Sequence, residues 1–242
     1  MWETESADPH PPMTDWVTIS ALATAGGTLV LAVATYQSVR SANRSARVAE
    51  RSLMEGVRPV LIPSREQDPK ERVRFGDDVV LNVPGHGAAV KLVDDVIYLA
   101  IAMRNAGTGV AVIHGWRARP QPEGRQLSPS LLLGDDVRGV ETSPVGSRPE
   151  ITEFRRQQLD LYIPAAETGY WQGAMRDPRE PGFGEVMAAV QEGRPLWIDI
   201  LYGDYEGGQR TIVRLGATQW PSLDGLRTTV MRYWNLDRSD PR

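Results

Sequence analysis

The sequence predicts a mainly β protein carried on one membrane-spanning helix. A transmembrane helix and a basic juxtamembrane helix precede a β-sandwich or barrel with one short inserted helix. Three observations predict this. Trp16 to Val39 is a run of 24 residues without a charged side chain. Four arginines at helical spacing follow it. Beyond Arg58, about nine short runs of β-forming residues alternate with glycine and proline turn signals, without βαβ alternation. The expected division is an acidic disordered tail over 1–15, a span over 16–39, a basic helix over 40–57, a β-domain over 58–237 and a tail over 238–242.

A hydrocarbon core about 30 Å thick needs roughly 20 apolar residues as a helix. Trp16–Tyr36 supplies 21, bounded by amphipathic rings that prefer the interface. Leucine, isoleucine and valine favour insertion, while Thr18, Ser20, Thr24, Gly26, Gly27, Thr28 and Thr35 oppose it. A buried core helix and a cleavable signal peptide compete with this reading. The first suits neither the length of the segment nor its place near the N-terminus. The second needs a basic leading region, whereas Glu3, Glu5, Asp8 and Asp15 are acidic, although Ala32-Val33-Ala34 mimics a cleavage site.

Arg40, Arg44, Arg47 and Arg51 follow the span on one helical face. Basic flanks stay cytoplasmic, so the expected orientation puts the N-terminus outside and the C-terminal domain in the cytoplasm. Trp16, Tyr36 and the four arginines form the expected interface with the lipid bilayer and its anionic headgroups. Ser20, Thr24, Thr28 and Ala32 are spaced by four, and Ala23 and Gly27 make a second small-residue pair. Such faces let spans approach closely, so a homo-oligomer through the span is an expected partner state. Gln37–Glu55 continues the helix, Gly56 stops it and Pro59 prevents its resumption.

In the β-domain, Val60–Ile62, Glu71–Phe75 and Val79–Val83 read as short strands, the last broken by Pro84-Gly85-His86-Gly87. Asp95–Arg104 is a strong strand and Asn105–Gly109 a turn. Val110–Ala118 follows, with Val112, His114 and Trp116 expected on one face. Gln121–Arg148 is loop-rich around an apolar knot at Ser130–Leu133. Strands are expected at Ile151–Phe154, Gln158–Ile163 and Thr168–Met175, and a helix at Phe183–Gln191 ended by Gly193-Arg194-Pro195. Leu196–Tyr202 and Arg210–Ala217 make the clearest hairpin, with Trp197, Asp199 and Leu201 opposite Leu196, Ile198, Ile200 and Tyr202. Thr228–Trp234 reads as a strand or short helix, and Arg238–Arg242 as frayed.

The chain has no cysteine, which excludes disulfides, thiolate metal sites and cysteine nucleophiles. A net charge of −4 speaks against a nucleic-acid binder. His10, His86 and His114 form no metal-ligand pair, and His86 between two glycines reads as a flexible turn. GxSxG, SxxK, HExxH and phosphate-loop patterns are absent. Neighbouring acids at Asp77-Asp78, Asp94-Asp95 and Asp135-Asp136 point to opposite faces of a strand, unsuited to paired-carboxylate chemistry. Asp199, Asp204 and Glu206 near one hairpin end are read as turn acids, with a weak Ca²⁺ site as the alternative. Neither catalytic, metal nor cofactor residues are therefore assigned. Seven tryptophans are many, and Trp116, Trp171, Trp197, Trp220 and Trp234 are either core or a binding patch.

Four pieces carry a resemblance. They are the span with its spaced arginines, Arg58-Pro59, the run Met103-Arg104-Asn105-Ala106-Gly107-Thr108-Gly109-Val110-Ala111, and Arg232-Tyr233-Trp234-Asn235-Leu236-Asp237. Together they resemble a group of uncharacterised actinobacterial single-pass membrane proteins. The resemblance implies an immunoglobulin-like β-sandwich behind the anchor and supplies no catalytic residues. The expected function is a non-enzymatic, membrane-anchored cytoplasmic module that binds or scaffolds a protein partner. The alternatives are an extracytoplasmic glycan- or envelope-binding module and, less favoured, an enzyme with an unrecognised site.

Overall fold

Helix α1 (Trp16–Gly56) is continuous over 41 residues. At 1.5 Å per residue it is about 60 Å long, so span and juxtamembrane segment form one rod. The computed structural model describes residues 16–122, 146–219 and 225–240. The acidic tail with His10, the knot at Ser130–Leu133, Asp135-Asp136, Trp220 and residues 241–242 lie outside them. The chain divides into two units, Met1–Met54 and Glu55–Arg242.

Eleven strands are described in the second unit: β1 (Leu61–Pro63), β2 (Glu71–Arg74), β3 (Val80–Val83), β4 (Gly87–Val93), β5 (Val96–Asn105), β6 (Ala111–Pro120), β7 (Arg155–Ile163), β8 (Thr168–Met175), β9 (Leu196–Gly203), β10 (Arg210–Gln219) and β11 (Leu226–Asn235). Helix α2 (Phe183–Gln191) lies between β8 and β9, as its apolar spacing predicts. Nine strands form one antiparallel sheet in the order β1-β5-β4-β11-β10-β9-β6-β7, with β8 on the other side of β5. Only four residues, Pro164–Glu167, join β7 to β8. The two ends of the path must therefore lie close, which curls the sheet around a single core. The described strands thus form one curled sheet with a two-stranded cover, β2–β3.

The core draws on every strand of the curl. Leu61, Leu99, Ile101, Ile163, Trp171, Ile198, Ile200 and Leu215 share it, and α2 contributes Phe183, Val186 and Ala189. Trp116 and Trp171 meet edge to face at 5.3 Å. A Cβ on Gly173 would lie 2.7 Å from both indoles, so glycine is required there. Strand β5 is buried on both faces: Tyr98, Ala100 and Ala102 pack outward against Val73, Phe75, Leu81 and Val83 of the β2–β3 cover. That explains its near-continuous apolar run.

Several expectations are corrected. Strand β4 was not anticipated, because Gly87-Ala88-Ala89 and Lys91 are poor strand formers. It pairs with β5 across a two-residue turn in which Asp94 and Asp95 both have positive φ, 48° and 60°. This is the left-handed geometry of a tight hairpin, with aspartates where Asn-Gly is usual. Ile151–Glu153 is a 3-10 turn held by a reciprocal Glu150–Glu153 capping box. Residues 226–235 form a strand. Beyond it, the Asn235 side chain donates to the Ser239 carbonyl at 2.9 Å and its backbone N–H to Asp240 at 2.8 Å, which ties residues 239 and 240 to the end of the strand.

Candidate functional site

On α1, Trp16, Tyr36, Ser20, Ala23, Thr24, Gly27, Thr28, Ala32, Arg40, Arg44 and Arg47 are all exposed. Arg51 belongs to the same helix, but its side chain is not described. Helical rise separates Trp16 and Tyr36 by about 30 Å, the thickness of a bilayer core. The hydroxyls of Thr24, Thr28 and Thr35 donate to the carbonyls four residues earlier at 2.8, 2.8 and 2.7 Å. The threonines read as opposing insertion thus satisfy their polar groups within the helix. Thr18–Glu50 is long and apolar enough to cross a membrane.

The resemblance landmarks of the β-domain converge at one end of the sheet. Asn105 is fully buried, and its side chain donates to the carbonyls of Gly109 and Ile163 at 2.6 and 3.0 Å. It accepts from the backbone N–H groups of Val60 and Gly107 at 3.1 and 2.9 Å. Arg58 donates to Thr211 and Asn235 at 3.1 and 3.2 Å and pairs with Asp237. A side chain on Gly107 or Gly109 would collide with the backbone of residues 57–60. The role of this cluster is to fix the start of the domain.

The chemistry concentrates on the outer face of β6, β9, β10 and β11. Two β-bulges create it. Against β9 the register of β6 shifts between Ile113 and Gly115, leaving His114 as the extra residue, while against β7 the same step passes over four residues of β7, 157–160. Ala111, Ile113, Trp116 and Ala118 therefore point into the core, and Arg117 and Arg119 point out. His114 and Trp116 do not share a face. In β11 the register shifts opposite Arg214 and Leu215, so Val230 and Tyr233 pack on the core while Arg232 and Trp234 face outward.

The re-phased strands align Arg117, Asp199, Arg214 and Arg232 in one row across four strands. Arg214 and Asp199 are fully buried and joined by two charge-assisted hydrogen bonds of 2.6 and 2.9 Å. Arg117 donates to the second Asp199 oxygen at 2.8 Å and also pairs with Glu153. Aromatic rings interleave with the arginines. Arg119 lies 4.9 Å from the Trp197 ring, Arg214 lies 4.8 Å from both Trp197 and Trp234, and Arg232 lies 5.7 Å from Trp234. The result is one alternating stack, Arg119–Trp197–Arg214–Trp234–Arg232, of cation–π contacts. Burial, then the charges of Arg214 and Arg117, push Arg119 down to about 10.

Tryptophan number alone does not separate core from patch, and the arginines escape sequence reasoning as site residues because their face depends on the bulges. Trp116 and Trp171 are core, whereas Trp197 and Trp234 are buried beneath guanidinium groups. Asp199 is consumed by Arg214 and Arg117, so it does not gather with Asp204 and Glu206 as a cation site. Among the described residues no group of three acidic or histidine side chains is placed to hold a metal ion. Asp204 caps its own turn, accepting from the Gly208 N–H at 2.8 Å.

His86, expected in a flexible turn, is tied down instead. Its backbone N–H donates to the Ser64 hydroxyl at 2.9 Å, its ring Nδ1 lies 3.1 Å from the Ser64 carbonyl, and its own carbonyl accepts from Thr228. His114 is half-buried, and its Nε2 has no hydrogen-bond partner among the described residues. Burial, followed by the charge of Arg210, holds its pKa below the ordinary histidine value.

Fold and site together define a mainly β domain, with a charged and aromatic outer face, joined to a helix of membrane-crossing length. No protein-family model matches the chain, and no curated protein matches it.

Proposed function

We propose that the protein is a single-pass membrane protein whose cytoplasmic β-domain binds or scaffolds a protein partner without catalysing a reaction. The observation that carries the anchor is that α1 leaves its apolar side chains in the open: Leu22, Leu29, Val30 and Leu31 are each about two-thirds exposed. A lipid bilayer is the environment that satisfies such a helix. The asymmetry between the acidic residues before the span and the arginines after it supports the cytoplasmic orientation. Self-association through Ser20, Ala23, Thr24, Gly27, Thr28 and Ala32 belongs to the proposal, as do anionic headgroups at the arginines. Membership of the actinobacterial single-pass family is supported by the convergence of Arg58, Asn105, Gly107, Asn235 and Asp237 at one end of the domain. An immunoglobulin-like origin of the β-domain draws support from its antiparallel pairing.

The binding role is supported by the partly exposed arginines of the outer-face stack and row, Arg117, Arg119 and Arg232, set on a rigid buried base. The glycan-binding alternative needs exposed tryptophans, and Trp116, Trp171, Trp197 and Trp234 are all buried. Protease treatment of intact cells and of opened spheroplasts, with a C-terminal tag, tests the topology. Protection until the cells are opened is expected. Digestion in intact cells would overturn the cytoplasmic placement and make envelope binding the leading reading.

A further inference from the structure

We propose that the Arg119 end of the arginine–tryptophan stack is where the domain receives an acidic segment of its partner, with a carboxylate side chain closing onto the Arg119 guanidinium. This inference rests on the protein-binding reading above.

Arg117, Arg214 and Arg232 differ from Arg119 in how their charge is met. Arg214 is held bidentately by Asp199, and Arg117 lies between Asp199 and Glu153. Arg232 also has further interactions. Arg119 makes no ion pair among the described residues, and its Nε is buried without a hydrogen-bond partner. Among the charges that act on it, the like charges of Arg214, on the far side of Trp197, and Arg117, two positions earlier on β6, rank ahead of the carboxylates of Asp199 and Glu153. A guanidinium that is partly desolvated, repelled by its neighbours and still charged at neutral pH gains more from an incoming carboxylate than a solvated one does. Trp197 beneath it fixes the plane of the fork, so less side-chain entropy is lost when two parallel hydrogen bonds form. Arg119 is half-buried, which leaves it accessible from solvent.

The occupant follows from charge and spacing. One guanidinium without an ion pair among the described residues, with Glu153 and Asp199 beside it, suits a single carboxylate. A phosphodiester chain or a dense anionic surface engages several spread cations at once. The net charge of −4 also disfavours extended polyanions.

The test uses the full chain in nanodiscs of neutral phosphatidylcholine and a fluorescent oligo-glutamate peptide, followed by anisotropy. Binding that weakens with added salt is expected. Arg119→Gln should weaken it about tenfold or more, the loss of one charge-assisted contact. A stalk variant carrying Arg40→Gln, Arg44→Gln and Arg47→Gln should bind within about twofold of the parent, since the stalk is not part of the site. Parent-like affinity in Arg119→Gln, absence of peptide binding, or a loss carried by the stalk variant alone would each overturn the proposal. If Arg119→Gln does not fold, Arg119→Lys decides: it keeps the charge without the planar fork, and an affinity equal to the parent's rejects the site. A partner captured by the full chain with no dependence on Arg119 removes this inference and leaves the binding function standing. Digestion of the domain in intact cells removes the cytoplasmic reading without touching the peptide measurement.

Discussion

Strands β5 and β9 are both buried on two faces, yet their outer faces are covered by opposite means. Outside β5 lies an apolar lid, Val73, Phe75, Leu81 and Val83 from the β2–β3 hairpin. Outside β9 lie Arg117, Arg119, Arg214 and Asp199 interleaved with Trp197 and Trp234. The apolar lid is stabilised simply by area removed from water. The charged cover is not, because desolvating ions costs about what their pairing returns. The fully buried Asp199–Arg214 pair at the centre of this cover therefore contributes specificity of geometry more than stability. The charged cover is also the one that leaves one cation, Arg119, unmatched among the described residues.

The largest expected effect tests the charged cover. Asp199→Ala leaves the guanidinium of Arg214 buried without its partner, and a loss of about 3–5 kcal/mol is expected. Denaturant unfolding of the full chain in detergent, read by tryptophan fluorescence, measures it. Next, Leu81→Ala in the apolar lid should cost about 2–4 kcal/mol in the same assay, from lost burial and the cavity left behind. If the two losses were reversed in order, the distinction between the covers would fail.

A sharper test replaces both ions. Asp199→Leu with Arg214→Met should come within about 1–2 kcal/mol of the parent, far above Asp199→Ala alone, because a well-packed apolar pair substitutes for a buried ion pair at little cost. A double variant as unstable as the single one would show that the ions contribute net stability.

The smallest effect concerns His114 at the β6 bulge. Its pKa in the fold is depressed below the unfolded value of 6.5, so the unfolded chain takes up the proton first as the pH falls. Its contribution is therefore intact above that value and fades as the pH drops toward the folded pKa. Asp160, Asp204 and Arg210 act on the same ring. His114→Gln should flatten the unfolding midpoint between about pH 7 and 5. An unchanged slope would place the pH response elsewhere.

Much of the fold was legible one segment at a time. The uncharged run 16–39, the double-faced apolar run of β5, the limits of α2 and the β9–β10 pairing are all local patterns, and local periodicity reads them directly. Strand β4 escaped because its residues have weak strand preference and its pairing with β5 supplies the order. The Ile151–Glu153 segment was misread because β-branched residues suggest a strand where a capping box closes a turn.

The sequence by itself determined a long apolar helix with a basic flank, a β-rich domain behind it and an unusual stock of arginine and tryptophan. It also marked Trp197 and Asp199 as lying opposite the core residues of their strand. Only the tertiary structure decided which arginines meet them. Strict alternation would put Arg117 and Arg119 on the same side as Ile113, and Arg232 and Trp234 on the same side as Val230. One extra residue in each strand, His114 in β6 and Met231 in β11, reverses that phase. A bulge is set by the twist and curl of neighbouring strands, so its position is written in pairing partners far along the chain and not in the segment that carries it.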